Sequence, residues 1–282
     1  MRMGVIADLH LGLEGRTVYH NRLLGDRAVS LGEAAVAVLN RAGADLVVVL
    51  GDISNGGLRC ELEQARRILD ALRMPWFALP GNHDAAAARD GVFEDIFGEH
   101  AAAGNRCGVD AAILFVHDAD PASSPASTSF LVGPRQTDDA LAAAGRDRSD
   151  ALIVCAHGPL ASAASAPVGH SGAYAGHFRD GAEFLERLAE RVAPRRPLAL
   201  CGHLHFHHVL ATPRWVQVAT AALIEYPMEA RLVTVQGGSA SVETLPVASP
   251  TVQAESLLSV KTTWVAGRPE DRRWEGVLRA NP

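Results

Sequence analysis

Five apolar runs in this chain each break off at a polar side chain with a lone pair to offer. MRMGVIAD stops at Asp8, with His10 two residues on; LVVVLGD stops at Asp52; WFALPGNHD reaches Asn82; ALIVCAHGP reaches His157; PLALCGHLH ends in His203 and His205. Apolar, β-branched runs without alternation suit strands covered on both faces, as in a largely parallel sheet. Two amphipathic stretches separate the first three runs. Asn21 to Arg41 carries Leu23, Leu24, Val29, Leu31, Val36 and Leu39, and Leu58 to Leu72 carries Leu62, Ala65, Ile68 and Leu69. A β-α-β-α-β order predicts parallel strands joined by right-handed crossovers. Each polar side chain then lies at the carboxyl end of a strand, where open α/β sheets place their ligands.

The later chain continues the pattern. AAILFVHD at 111–118 reads as a strand, and Phe184 to Val192 as a short helix. The run beginning Arg214-Trp215 reads as a strand, and Arg231 to Val247 as a hairpin turning on Gly237-Gly238. Strand alternation would put His203 and His205 on one face and carry His207 along with them. Ala119 to Ser129 and Ala161 to Gly176 read as loops, and His170 and His177 in or next to the second are candidates for substrate contact.

Carboxylates, imidazoles and one amide oxygen form a donor set suited to two adjacent divalent cations. Cations about 3.5–4 Å apart can clamp the attacking and leaving oxygens of a phosphoryl transfer. The five motifs, Asp8-Leu9-His10, Gly51-Asp52, Gly81-Asn82-His83-Asp84, His157 and Gly202-His203-Leu204-His205, make the chain resemble the calcineurin-like metallophosphoesterase superfamily. Short of that whole set, D-x-H or G-D alone would mean little. The resemblance implies a two-sheet α/β sandwich with flanking helices. It implies metal ligation by Asp8, His10, Asp52, Asn82, His157, His203 and His205, with Asp52 shared between two cations. Asp8, His10 and His205 would complete one site, and Asn82, His157 and His203 the other. His83 is the catalytic candidate, facing substrate rather than metal.

The activity implied is hydrolysis of a small phosphodiester by metal-bound hydroxide, and the motifs look most like the bacterial branch that handles cyclic nucleotides and glycerophosphodiesters. Phosphomonoester or pyrophosphate hydrolysis on the same site is the alternative. A non-catalytic scaffold on the same fold is the reading from another class. In many relatives an acid three residues after the shared Asp orients the catalytic histidine; this chain has Asn55 there. It also lacks the tyrosine ligand of purple acid phosphatases, so a tyrosinate-bound ferric ion is not expected. The remaining donors suit Mn²⁺, Fe²⁺ or Zn²⁺.

Bulk properties set the partners. The chain has 282 residues and a net charge of −6, and Lys261 is its single lysine, so a non-specific grip on a nucleic-acid polymer is not expected. No run approaches the ~20 apolar residues of a membrane span. The first strand starts within five residues of Met1, and Cys60, Cys107, Cys155 and Cys201 show no C-x-x-C spacing. A soluble cytoplasmic protein without a leader or a disulfide framework is the expectation. Residues 1–249 read as the catalytic domain. Residues 250–282 read as a C-terminal extension that packs on the domain or serves as an arm for homo-oligomers, because Trp264 and Trp274 are out of place in a mobile tail.

Overall fold

The apolar runs fold as two parallel-cored sheets laid face to face. The computed structural model describes residues 1–101, 105–107, 111–119, 129–163 and 176–279. In chain order the elements are β1 (Arg2–Ile6), α1 (Ala28–Ala42), β2 (Leu46–Leu50), α2 (Arg59–Leu69), β3 (Trp76–Leu79), α3 (Ala85–Arg89) and α4 (Val92–Phe97). There follow β4 (Asn105–Cys107), β5 (Ala111–Val116), β6 (Ser129–Phe130), α5 (Pro134–Arg146), β7 (Ala151–Ala156), β8 (His177–Phe178) and α6 (Gly181–Val192). The remainder is β9 (Leu198–Cys201), β10 (His208–Ala211), β11 (Val216–Ala219), β12 (Glu229–Gln236), β13 (Ser239–Pro246), α7 (Pro250–Ser256), α8 (Pro269–Arg272) and β14 (Arg273–Val277).

One sheet runs β14-β13-β12-β1-β2-β3 and the other β10-β11-β9-β7-β5-β4. Within the first, β1, β2 and β3 are parallel, and β12 returns antiparallel on the far side of β1. The period of two sorts the side chains of β2. Val47 and Val49 join the core under α1 and α2, while Val48 and Leu50 face the second sheet. On the other side, Leu152 and Val154 of β7 pack under α5 and α6, and Ile153 and Cys155 turn inward. The result is the expected sandwich, with helices on both outer faces. Each fully buried Val or Leu in these layers contributes roughly 1.5–3 kcal/mol.

Two local readings change. The first helix begins at Ala28, after a 3-10 turn over Gly25–Arg27, and not at Asn21. Residues 21–24 are spent on docking: Asn21 N–H donates to Glu225 and Leu24 N–H to the Ile224 carbonyl. The last motif strand ends at Cys201, so His203 and His205 stand in a loop and strand alternation does not place them. The hairpin turns on Gly237 and Gly238 as read, both at positive φ (55° and 73°), the geometry of a two-residue turn.

The tail packs on its own chain. β14 pairs with β13 at the edge of the first sheet. Trp264 lies edge-on to Phe206, and the Val265 carbonyl accepts from His207 N–H. Among the described residues no helix is long and apolar enough to cross a membrane.

Candidate metal centre

Five strand ends meet at one edge of the sandwich. Asp8 and His10 follow β1, Asp52 follows β2, Asn82 and His83 follow β3, His157 follows β7, and His203 and His205 follow β9. The backbone there is bent in an uncommon way. Asp8, His10, Asp52, His203 and His205 all have positive φ, between 47° and 67°. Left-handed backbone at a non-glycine residue costs about 1–3 kcal/mol and gathers at functional sites. Ladder bonds between the loops hold it: Asp8 N–H to Gly51 O, His10 N–H to Asp52 O, and Leu11 N–H to Ile53 O, at 2.9–3.1 Å.

The glycines that open the Asp52 and Asn82 motifs are needed for close approach. A Cβ on Gly81 would lie 2.1 Å from Asp52 Oδ1, and one on Gly51 would lie 2.5 Å from His157 Nδ1. Asp84 then pins the two loops together. Its buried carboxylate accepts from the backbone N–H groups of Ile53, Ser54 and Gly81 at 2.9–3.0 Å and from the Ser54 hydroxyl.

The seven expected donors converge in two groups, while donor atoms of His10, Asp52 and His83 also lie within 4.8 Å of one another. His157 Nε2 lies 2.9 Å from Asn82 Oδ1, 3.2 Å from His203 Nδ1 and 3.3 Å from Asp52 Oδ2. His205 Nε2 lies 3.4 Å from His10 Nε2 and 3.6 Å from Asp8 Oδ1, and His10 Nε2 is 3.8 Å from Asp52 Oδ2. Two donors each about 2.1 Å from one cation stand roughly 3–4 Å apart, so both groups fit a cation in size. One oxygen of Asp52, Oδ2, lies near both groups. Its other oxygen, Oδ1, accepts from His83 N–H at 2.9 Å.

The ring nitrogens are assigned by their outer partners. His157 Nδ1–H donates to the Leu50 carbonyl at 2.7 Å, and His205 Nδ1–H to Glu225 Oε1 at 2.7 Å, which turns each Nε2 inward. Burial holds His10, His203 and His205 down to about 3 against the pull of the Asp52 charge, so they are neutral imidazoles at neutral pH. Burial also opposes a charge on His157, but Asp52, by its charge and hydrogen bond, and then Asp8 carry it up to about 9. That proton occupies the lone pair a cation would take, so metal uptake has to displace it. Burial dominates at Asp8, whose carboxyl is raised well above the usual range. Burial works the same way on Asp52, yet His157 and the other imidazoles hold it well below that range.

His83 stands beside the cluster, its ring edge-on to His10 with centroids 4.6 Å apart. Its Nδ1–H donates to the backbone carbonyl of Asn55 at 2.7 Å. The main chain thus takes the orienting task for which the Asn55 amide looked ill suited. His207 does not join the group. Its Nδ1 accepts from Ala221 N–H at 3.1 Å and its Nε2 faces Glu229 Oε2 at 3.2 Å. The alternating left-handed residues of the loop bring His203 and His205 round to Asp8, and His207 falls on the other side. His177 lies in β8, and His170 falls outside the described residues, as does most of the loop read from Ala161 to Gly176.

Sequence reasoning passed over Glu225 and Tyr19. Glu225 is fully buried behind His205, and burial raises it to about 7 against the pull of its hydrogen bond from Asn21 N–H. The signal was there to find: an acid closing the apolar run ATAALIE. Tyr19 packs on the His205 ring at 4.8 Å and carries no motif.

A two-sheet sandwich with carboxylate and imidazole donors gathered at its strand ends matches one protein family. The chain belongs to the calcineurin-like phosphoesterase family, whose model matches residues 1–207. It is similar to the glycerophosphodiester phosphodiesterase GpdQ of Enterobacter lignolyticus (strain SCF1), 40% identical over 90 residues; the match covers 31% of this chain and 31% of that relative. Among solved structures it resembles a dimetal phosphatase from Danio rerio, with a TM-score of 0.67, 12% identity, and 88% of this chain and 96% of that one covered. The purple acid phosphatase PPD1 of yellow lupin gives a TM-score of 0.58 at 14% identity, covering 87% and 51%. GAP50, described as the anchor in the inner membrane complex of Plasmodium, gives 0.59 at 10%, covering 100% and 89%. At such identities these likenesses describe the fold.

Proposed function

We propose that the chain is a binuclear metal-dependent phosphodiesterase acting on a small phosphodiester. Asp8, His10, Asp52 and His205 hold one divalent cation, and Asp52, Asn82, His157 and His203 hold the other, as Mn²⁺, Fe²⁺ or Zn²⁺. The observation that carries this reading is Asp52 Oδ2, one oxygen within 3.3 Å of His157 Nε2 and 3.8 Å of His10 Nε2, common to both donor groups. Bound cations there supply the charge that stabilises the attacking and leaving oxygens.

The residues of the chain do the rest. His83 is fixed at two atoms, its backbone N–H on Asp52 Oδ1 and its Nδ1–H on the Asn55 carbonyl. Nε2 is therefore the nitrogen left to exchange a proton, and in the imidazolium form of the ring it would pass one to the leaving oxygen as the ester bond breaks. A neutral carbonyl orients the ring without adding the charge a carboxylate would. The partial match to a glycerophosphodiester phosphodiesterase supports a diester over a monoester or pyrophosphate. A cytoplasmic location belongs to the same reading, supported by the free thiols of Cys60, Cys155 and Cys201.

The test is turnover of bis(4-nitrophenyl) phosphate, 4-nitrophenyl phosphate and pyrophosphate by metal-reconstituted protein, before and after chelation. Diester turnover that chelation abolishes and metal restores is expected. Faster monoester or pyrophosphate turnover moves the assignment to those substrates. Full activity in excess chelator contradicts the mechanism, and two bound cations with no turnover on any substrate leave the scaffold reading.

A further inference from the structure

Single exposed aromatics are common on protein surfaces and mean little alone. Tyr19 differs in what lies beneath it. The residue is 51% exposed, yet its ring packs on His205 and on His20, with centroids 4.8 and 4.5 Å away. From His205 the rings continue to His10 and then His83, at 5.3 and 4.6 Å. The exposed Tyr19 ring thus borders the donor cluster at His205, with the buried His10 between His205 and His83.

The loop that carries it is held in place. Tyr19 N–H donates to the Asn21 carbonyl. Asn21 N–H donates to Glu225 Oε2 at 2.5 Å, and Glu225 Oε1 holds His205 Nδ1. The Asn21 side chain makes two hydrogen bonds to the Thr262 backbone, at 3.0 and 2.8 Å. The Tyr19 backbone and His205 are therefore tied to the same glutamate, which fixes the loop that carries the ring. Val18 beside it is 52% exposed.

We propose that Tyr19 is a stacking platform for an ester group of the substrate. The site would then favour small phosphodiesters carrying a flat unsaturated group, a nucleoside or aryl ester, over glyceryl and short alkyl esters. This rests on the phosphoesterase reading above. With the phosphoryl group drawn to the cations, its ester groups must lie along the walls of the site. A flat ring laid on Tyr19 covers apolar surface on both partners and gains offset or edge-to-face attraction. Stacking of this kind tolerates different bases, since each has a π-face. A hydroxylated three-carbon group covers little of the ring and stays hydrated.

The test compares phenylphosphonate with methylphosphonate, whose P–C bonds are not hydrolysed. Binding is measured by calorimetry to metal-loaded wild type, Tyr19→Phe and Tyr19→Ala, with metal content determined for each. Wild type and Tyr19→Phe are expected to bind the phenyl compound about 10-fold more tightly than the methyl one. Tyr19→Ala should lose that preference through weaker phenyl binding, with methyl binding and metal content unchanged. A ring that merely shields His205 would give a different result: Tyr19→Ala would weaken both probes alike or lower the metal content, and the inference would be overturned. A preference that survives Tyr19→Ala also overturns it. If wild type binds both probes equally, only the role of Tyr19 falls; if it binds neither, the phosphoesterase reading falls as well.

Discussion

His205 and His207 stand two residues apart, both are buried, and each has one ring nitrogen turned to a buried glutamate. His205 faces Glu225 at 2.7 Å and His207 faces Glu229 at 3.2 Å. What separates them is the other nitrogen. In His205 it points at Asp8 and His10 with its lone pair available. In His207 it accepts the Ala221 N–H and is already used. The second pair sits in a web of structural contacts. Arg272 pairs with Glu229, and the buried Arg231 donates to the carbonyls of Asp271 and Ala219. Residue type and spacing alone could not tell a ligand from a lock. The partner of the second ring nitrogen does.

The largest effect should come from exchanging the two roles. His205→Ala should release one of two cations and lower turnover by at least about 10²-fold, the scale of removing one electrostatic contact in a site. His207→Ala should keep both cations and near-normal turnover while lowering stability by roughly 1–3 kcal/mol, since it leaves buried polar groups unpaired. Metal content, turnover and urea unfolding of the two variants decide the matter. Equal metal loss in both would erase the distinction.

In the proposed function His83 is a third kind of histidine, neither ligand nor lock, although it lies close to His10 and Asp52. His83→Ala should keep its metals and lose on the order of 10²–10⁴-fold in turnover. The loss should be large for an alkyl diester, whose alkoxide needs a proton, and small for a nitrophenyl diester, whose phenolate does not. Equal losses on the two substrates would assign His83 to charge stabilisation of the phosphoryl oxygens.

The glutamates should part company next. Glu225→Gln should weaken metal affinity about 10–100-fold, as expected for a group that orients a ligand and raises its basicity. Glu229→Gln should leave affinity unchanged. Competitive chelator titration measures both, and a matching loss in Glu229→Gln would count against the comparison.

The smallest effect concerns acid. Burial, then the charge of Arg231, lowers His207 to about 3. Its unfolded form takes a proton near pH 6.5 while the folded form stays neutral. The stability this neutral ring contributes is present above pH 6.5 and is lost as pH falls from there towards 3. Between pH 6 and 5 it steepens the loss by up to about 1.4 kcal/mol per pH unit. His207→Gln should flatten that slope in urea unfolding measured at several pH values. An unchanged slope would mean the ring is not held neutral.

Much of this could be read in advance, because strand runs and their terminal ligands are local patterns. The run LVVVLGD announces a buried strand and its acid, and β2 with Asp52 follows from it. The GHLH loop could not be read, because it turns through left-handed residues fixed by contacts with Asp8, 195 residues away. Tyr19 escaped for the same reason: its place comes from His205, which it does not adjoin in sequence. The helix start misread at Asn21 shows tertiary docking overriding an amphipathic pattern. Asn55 shows the reverse error, since a side chain was weighed where a backbone carbonyl does the work.

The central claim is that Asp52 Oδ2 is shared by two cations. Anomalous diffraction from crystals grown with Mn²⁺ tests it directly. The expected result is two peaks about 3.5–4 Å apart, one on each side of Asp52 Oδ2, with none at His207. A single peak, or a peak beside Glu229, would contradict the account.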